Sequence, residues 1–461
     1  MTRRTLCGSA AAALVQTNRR PNVLLLLADN WAAPHAGALG DRMVKTPVFD
    51  RLASEGAVFT HAFAPNPSCS PSRSSLLSGQ ETHRLGEAAS LYGPLAADVP
   101  IYTDLLTQAG YFTGFSGKGF GPGSSPRPGR TPNPAGAQHA SFESFLQARP
   151  AGAPFCFWFG SHDPHVPWDR GRQRLAALDP AKLRVPAHLP DDEAVRRDML
   201  HYYCEVQEFD SECGRLLDTL QKTGELDNTL VIMTSDNGWQ MPRGLANCYD
   251  LGVRIPLALR LPGRISKATR RDDFAAIGDL APTILDAAGL ARPAVMTAQS
   301  LLGAQRRDAI MLERERHANV RRGDLSYPVR GIRTRDYLYL RNLEPGRWPA
   351  GDPEFYWAVG PYGDIDDSQT KQLLMREKRQ PYFDLCFGKR PAEELYDLKN
   401  DPDQVRNVAS EAAYSKARAA LSARVGEWMK ASGDPRAGGP TDLWDKAPYS
   451  GPKFKGAPPP P

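Results

Sequence analysis

Two acid–amide pairs stand where a chain can do chemistry. Asp29-Asn30 follows the apolar run 22–28, and Asp236-Asn237 follows the apolar run 229–235. Carboxylate and amide oxygens from two strand ends can gather one hard cation, because calcium takes Asp and Asn oxygens together in an irregular shell. Each pair alone is also an ordinary Asx turn cap; their matching placement favours the metal. A second constellation is Cys69-Ser-Pro-Ser-Arg-Ser-Ser-Leu-Leu-Ser-Gly79. Pro71 fixes a turn there, Ser74 onward opens a helix, and a helix N-terminus beside Arg73 favours an anion. The same field is expected to lower the pKa of the Cys69 thiol. A capped helix with a buried cysteine has the same spacing. Lys118 lies in the glycine-rich stretch 117–123, and His162 and His165 bracket Asp163-Pro164. The histidine pair suits a metal or an anion, although a lysine among glycines and two loop histidines are weak signals taken singly.

These residues need a scaffold. Apolar runs without alternation read as strands buried on both faces, and they recur at 22–28, 111–116, 154–160, 229–235, 255–261 and 309–312. Helical segments fall at 46–55, 102–109, 192–222 and 279–288, the last with Pro282 suited to a first turn. This alternation predicts an α/β fold: a large domain with a mostly parallel sheet flanked by helices. Ligands of such sheets bind beyond the strand C-termini, which selects Asp29-Asn30, residues 162–165 and residues 235–238. After about residue 305 the pattern changes. Residues 332–340 alternate like a hairpin, Pro- and Gly-rich loops follow, and a helix falls near 412–431, which predicts a smaller C-terminal α+β domain. The expected division is an export signal at 1–18, a catalytic domain at 19–304, the C-terminal domain at 305–432, and a Pro/Gly-rich tail at 433–461, extended or disordered.

Composition narrows the function classes. With 461 residues, 41% hydrophobic and 24% charged, the chain is neither disordered, fibrous nor a coiled coil. No stretch approaches the roughly 18 to 20 apolar residues of a membrane span. A net charge of +5, scattered along the chain, leaves no footprint for nucleic acid. The 40 glycines and 41 prolines make loops abundant, and loops on a rigid scaffold carry function. The seven cysteines are irregularly spaced with no C-x-x-C pair, which argues against a zinc knuckle or a thioredoxin-like motif. Cys156, inside Phe155-Cys-Phe-Trp-Phe159, reads as a small core residue. Arg3-Arg4 ahead of the apolar stretch 6–15 resembles a twin-arginine export signal, so a periplasmic or secreted location is expected, the alternative being a frayed cytoplasmic terminus.

Cys69-x-Pro71-Ser72-Arg73 followed by Leu77-Ser78-Gly79 resembles the signature of the sulfatase family. Residues 20–29 resemble that family's first strand, residues 234–238 its later metal strand, and Glu394-Leu-Tyr-Asp-Leu398 with Asp401-Pro402 and Asn407 its C-terminal box. The resemblance spans roughly residues 19 to 430, and within the family stretches 159–165, 246–256 and 326–330 are similar to the heparan N-sulfatase (sulfamidase) group. It implies an alkaline-phosphatase-like fold and hydrolysis of a sulfate ester or sulfamate on a sulfated carbohydrate. It implies that a separate formylglycine-generating enzyme oxidises Cys69 to formylglycine. One hydroxyl of the hydrated aldehyde then attacks sulfur and the other expels sulfate. By the same resemblance Asp29, Asn30, Asp236 and Asn237, with residue 69 beside them, hold Ca2+, Mg2+ being the other candidate. The cation and Lys118 neutralise the sulfate oxygens, Arg73 orients and activates the nucleophile, and His165 binds sulfate or assists the leaving group. Arg243, His317 and Arg330 are expected to contact the substrate.

Three departures set this chain apart. The family usually has Asp-Asp at the first strand end, where this chain has Asp29-Asn30. The amide keeps an oxygen but loses a charge, which is expected to weaken cation binding by on the order of a kcal/mol or more. Phe120 stands where many members carry a histidine, and Leu245 where the group has Lys or Arg, so Arg243 is expected to reach in instead. Two other readings therefore stay open: a phosphomonoester or phosphonate hydrolase of the same superfamily, and an inactive sugar-binding relative.

Overall fold

The structure, a computed structural model, describes residues 20–125, 132–304, 306–354, 360–448 and 451. The expected export signal, with Cys7, lies outside the described residues.

The chain begins β1 (Asn22–Ala28), α1 (Pro47–Glu55), β2 (Ala57–Phe63), α2 (Cys69–Ser78), α3 (Tyr102–Gln108), β3 (Phe112–Gly117), β4 (Ala137–Gln138), α4 (Phe142–Ala148), β5 (Phe155–Gly160) and the long α5 (Glu193–Lys222). It continues with β6 (Thr229–Ser235), α6 (Asp250–Val253), β7 (Arg254–Arg260), β8 (Thr269–Ala276) and α7 (Leu280–Ala287). The remainder holds β9 (Ala309–Arg314), β10 (Val329–Thr334), β11 (Tyr337–Asn342), α8 (Gln369–Glu377), α9 (Tyr382–Phe387), β12 (Glu393–Asp397) and α10 (Ser415–Ala431).

Eight strands form one sheet in the order β4-β3-β5-β1-β6-β7-β2-β8, and four form a second in the order β12-β11-β10-β9. In the large sheet all neighbours are parallel except the pairs made by β7, which opposes both β6 and β2. The small sheet is antiparallel throughout. Two of the apolar runs are therefore not buried parallel strands: 255–261 is the antiparallel β7, and 309–312 opens the second sheet. An apolar run reports burial, not direction. The strands β2 and β8 escaped the pattern because Thr60-His61 interrupts one and the other opens on Thr-Arg-Arg-Asp-Asp.

All seven residues of β1 are buried because the sheet is covered on both faces. Leu24 and Leu26 pack into the cluster that includes Val206 and Phe209 of α5, while Val23, Leu25 and Leu27 pack into the one with Leu106 and Ile284. Parallel register then sets the functional edge. Leu27 pairs with both Gly160 and Thr234, Ala28 with Ser235, and Gly117 with Gly160. So β3, β5, β1 and β6 end on one line, and Lys118, Ser161, Asp29 and Asp236 follow on one crest. Gly160 is required there, since a Cβ would lie 1.7 Å from the Lys118 carbonyl oxygen.

Two further expectations are corrected. The helix after the Cys69 turn begins at Cys69 itself, not at Ser74, with Pro71 in the first turn, where its missing N–H is no loss. The tail is not extended through residue 448. Pro435–Gly438 forms a helical turn, and Trp444 is fully buried, its Nε1–H donating to the Gly86 carbonyl at 2.9 Å. Its anchors Asp434, Arg436 and Trp444 are too sparse to show in composition; residues 449–450 and 452–461 lie outside the described ones. Among the described residues no helix is long and apolar enough to cross a membrane.

Candidate active site

The crest converges on the first residue of α2. The Cys69 thiol donates to Asp29 Oδ1 at 3.4 Å and lies 3.9 Å from Asn30 Oδ1, and Asn237 Nδ2 donates to its sulfur at 3.7 Å. Asp29, Cys69 and Asp236 offer ligand atoms all within 4.8 Å of one another. Arg73, one turn along α2, is fully buried. Its Nε donates to Asp236 Oδ2 at 2.8 Å and its Nη1 to the Lys118 and Gly119 carbonyls at 3.0 and 2.6 Å. Its Nη2 stands 3.7 Å from Asp29 Oδ1 with no hydrogen-bond partner among the described residues. Lys118 Nζ donates to Asp29 Oδ2 at 2.5 Å. Asn30 takes a left-handed backbone (φ 74°), a conformation Asn tolerates, and its N–H donates to Asp236 Oδ1 at 3.1 Å.

This donor set fits a divalent cation. Asn237 Oδ1 is buried without a hydrogen-bond partner among the described residues. A buried acceptor left bare costs free energy, and a cation would satisfy it. Two carboxylates and two amides offer hard oxygen ligands of the kind calcium and magnesium take.

The electrostatics follow from burial and the charges around it. Burial alone would raise the Asp29 pKa, but Lys118, His165 and Arg73 outweigh it and hold this carboxyl well below the usual carboxylate range. At Asp236 burial wins over Arg73 and pushes the pKa up. Burial, with Asp29 and Asp236 adding to it against Lys118 and Arg73, drives the Cys69 thiol well above its ordinary value. The expected lowering is thus reversed: the helix N-terminus is present, but desolvation and two carboxylates outweigh it.

Of the remaining expected residues, His165 and His317 stand near the crest. His165 Nδ1–H donates to the Val166 carbonyl at 2.7 Å, and its Nε2 lies 3.6 Å from Asp366 Oδ2. His317 Nδ1 hydrogen-bonds Ser68 Oγ at 2.8 Å, and burial pulls its pKa down to about 4. His162 is exposed. The structure does not bring Arg243 or Arg330 to the crest. Arg243 donates to the Leu385 carbonyl at 2.7 Å, the Tyr396 hydroxyl at 3.2 Å and the Gln404 carbonyl, and lies 3.8 Å over the Tyr249 ring. Arg330 donates to Glu315 Oε1 at 2.7 Å and Asp434 Oδ2 at 2.5 Å. The Arg330 guanidinium and both terminal nitrogens of Arg243 are committed to internal partners, while Arg243 Nε is buried without a hydrogen-bond partner among the described residues. Leu245 is buried, its N–H on the Trp239 carbonyl at 2.8 Å. Phe120 joins the apolar cluster containing Leu76 and Trp158.

Two side chains near the crest carried no sequence signal. Asp366 lies in the loop before α8, in a plain Asp-Ile-Asp-Asp run. Gln240, four residues after Asp236, accepts from Asn30 Nδ2 at 3.3 Å and donates from Nε2 to the Pro164 carbonyl at 3.3 Å.

Residues 21–125 and 136–290 match the Sulfatase family, and residues 243–340 match the family described as N-sulphoglucosamine sulphohydrolase, C-terminal. The chain is 30% identical over 484 residues to human N-sulphoglucosamine sulphohydrolase, covering 90% of this chain and 91% of that protein. Its fold is similar to that of a protein solved in complex with its substrate D-glucosamine-2-N,6-O-disulfate, with a TM-score of 0.67, 20% identity, and coverage of 93% of this chain and 100% of that one. It is also similar to the phosphonate monoester hydrolase of Agrobacterium radiobacter, with a TM-score of 0.66, 18% identity, and coverage of 90% and 96%. With more than half its length matched and a near-full-length relative at that identity, the chain belongs to the sulfatase family and is a sulfuric ester hydrolase resembling N-sulphoglucosamine sulphohydrolase.

Proposed function

We propose that this chain removes a sulfo group, as sulfate ester or sulfamate, from a sulfated carbohydrate, through a formylglycine made from Cys69 by a separate generating enzyme and with a bound divalent cation, Ca2+ or Mg2+. The observation that carries the reading is the meeting of Asp29, Asn30 and Asn237 side chains within 3.4–3.9 Å of Cys69 Sγ. Asp29, Asn30, Asp236 and Asn237 are the residues that would hold the cation. When present, the cation supplies positive charge to the sulfo oxygens, and the converted residue 69 supplies the nucleophilic oxygen.

The chain's own side chains do the rest. Arg73, anchored by Asp236, keeps Nη2 available beside Asp29 to orient a nucleophile or hold a sulfo oxygen. Lys118 neutralises charge from the far side of Asp29. His165, its Nδ1–H tied to a backbone carbonyl, presents Nε2 as the group that protonates the leaving oxygen or nitrogen. His317 steadies Ser68 at the start of α2. Two cations face two carboxylates here, so a divalent ion would bring the crest to about +2, matching a departing sulfate. The names of the relative and of the solved complex support a glucosamine-type substrate, and Arg3-Arg4 supports export to the periplasm or beyond.

The test is co-expression with a formylglycine-generating enzyme, peptide mass mapping of residue 69, and assays on an aryl sulfate, glucosamine N-sulfate and an aryl phosphonate. Sulfate release that needs conversion and is lost on chelation supports the reading. Faster phosphonate cleavage favours the phosphonate hydrolase, and sugar binding without sulfate release after verified conversion favours an inactive relative.

A further inference from the structure

We infer that Gln240 is a positioning residue that turns the Asn30 amide oxygen toward the cation site, so that residues 30 and 240 work as a matched amide pair. The inference rests on the reading of Asn30 as a cation ligand.

The direction of each amide follows from one fixed point. The Pro164 carbonyl only accepts hydrogen bonds, so the Gln240 group 3.3 Å from it is the NH2. The Gln240 oxygen then faces the other way, 3.3 Å from the Asn30 side chain, and the Asn30 group meeting it must be its own NH2. That leaves Asn30 Oδ1 on the Cys69 side, 3.9 Å from the sulfur. Both side chains are buried, at 2% and 0% exposure, so a wrong orientation would strand polar atoms with nothing to meet them. The left-handed backbone at Asn30 and its N–H on Asp236 Oδ1 hold the residue so that only the amide rotation is left to settle. The same relay reaches Pro164, the residue before His165, and so ties the cation site to the loop that carries the leaving-group histidine.

A carboxylate at position 30 does not fit this relay. Both its oxygens accept, so one would meet Gln240 Oε1. Turning Gln240 over gives that oxygen a donor but sets Oε1 against the Pro164 carbonyl. Either arrangement buries an acceptor–acceptor contact. The sequence expectation that Asn30 simply costs one charge therefore omits its partner: here the charge is exchanged for an oxygen whose aim is fixed by Gln240.

The experiment uses the full chain with Cys69 unconverted and reads Ca2+ affinity by calorimetry, together with the Ca2+-dependent rise in melting temperature. Four proteins are compared: wild type, Gln240→Met, Asn30→Asp, and the double substitution. Gln240→Met keeps side-chain length and removes both polar groups; melting in chelator shows that each variant folds, and Gln240→Leu is used if the Met variant does not. The expected result is a loss of about tenfold or more in Ca2+ affinity for Gln240→Met alone, in the range of lost orienting partners. In the Asn30→Asp background the same substitution is expected to cost nothing or to tighten binding, because a carboxylate needs no partner to choose its oxygen. Equal weakening in both backgrounds, or none in either, overturns the inference and leaves the cation reading standing. Failure of the wild type to bind any divalent cation overturns the cation reading, and the inference with it.

Discussion

Two buried charge clusters in this chain are built from the same residue types and differ in whether their valences are closed. Around Arg330 they are closed: Glu315 meets both Arg330 and Arg436 at 2.7 Å, and Asp434 meets Arg330 at 2.5 Å. On the crest they are open. Arg73 and Lys118 share Asp29 and Asp236, yet Arg73 Nη2 and Asn237 Oδ1 have no hydrogen-bond partner among the described residues. Both clusters are formally two cations against two carboxylates. The first has a partner for each charge and ties the tail to the small sheet; the second keeps spare donors and acceptors where a ligand would use them. Residue type alone does not distinguish these two clusters; the spare donor and acceptor on the crest do.

The sharpest break in this comparison comes from Arg330→Met. It takes from Asp434 its arginine partner and leaves Glu315 with Arg436 alone, and is expected to cost about 3–5 kcal/mol in denaturant unfolding, with kcat of the folded fraction unchanged. A fall in kcat at unchanged stability would instead move Arg330 to the substrate. Next, Lys118→Met is expected to lower kcat about 10²- to 10³-fold in the converted enzyme, with a smaller stability loss than Arg330→Met. A larger loss than Arg330→Met would mean the crest is structural as well.

A pH series probes the pair between these regions. Glu313 of β9 accepts from the Thr82 and His83 N–H groups and pairs with His83 Nδ1 at 2.7 Å. Burial alone would raise its pKa, but His83 and these donors push it down to about 2. A carboxyl held lower in the folded state stabilises above its ordinary value near 4.5 and loses that contribution as pH falls toward 2. The melting-temperature gap between wild type and Glu313→Gln should therefore close across that window. His83 works in the opposite sense: burial lowers its pKa but Glu313 overrides and raises it. Its contribution is full below its ordinary value and fades as pH climbs through the raised one. The smallest effect is His317→Ala, which removes the bond to Ser68 Oγ and should cost about 1 kcal/mol in thermal unfolding.

Much of the architecture was readable along the chain. The runs 22–28 and 229–235 are β1 and β6 to the residue, because strands buried on both faces need apolar residues at nearly every position. The acids and amides that end them were readable for the same reason, since a polar pair closing an apolar run marks a strand end. The direction of β7, the existence of β2 and β8, and the anchoring of the tail were not, because each depends on what pairs with it rather than on its own composition.

Local pattern thus specified the strands, their crest and the chemistry that crest can host. Which cations stay available there was settled by folding. The acceptors that bind Arg243 lie 142 to 161 positions further along the chain, and an acceptor of Arg330 lies 104 positions away. The Cys69 pKa follows the same rule, because desolvation and the two neighbouring carboxylates exist only once distant strand ends meet. A side chain carries its type in the sequence, but its charge state and spare hydrogen bonds belong to its surroundings.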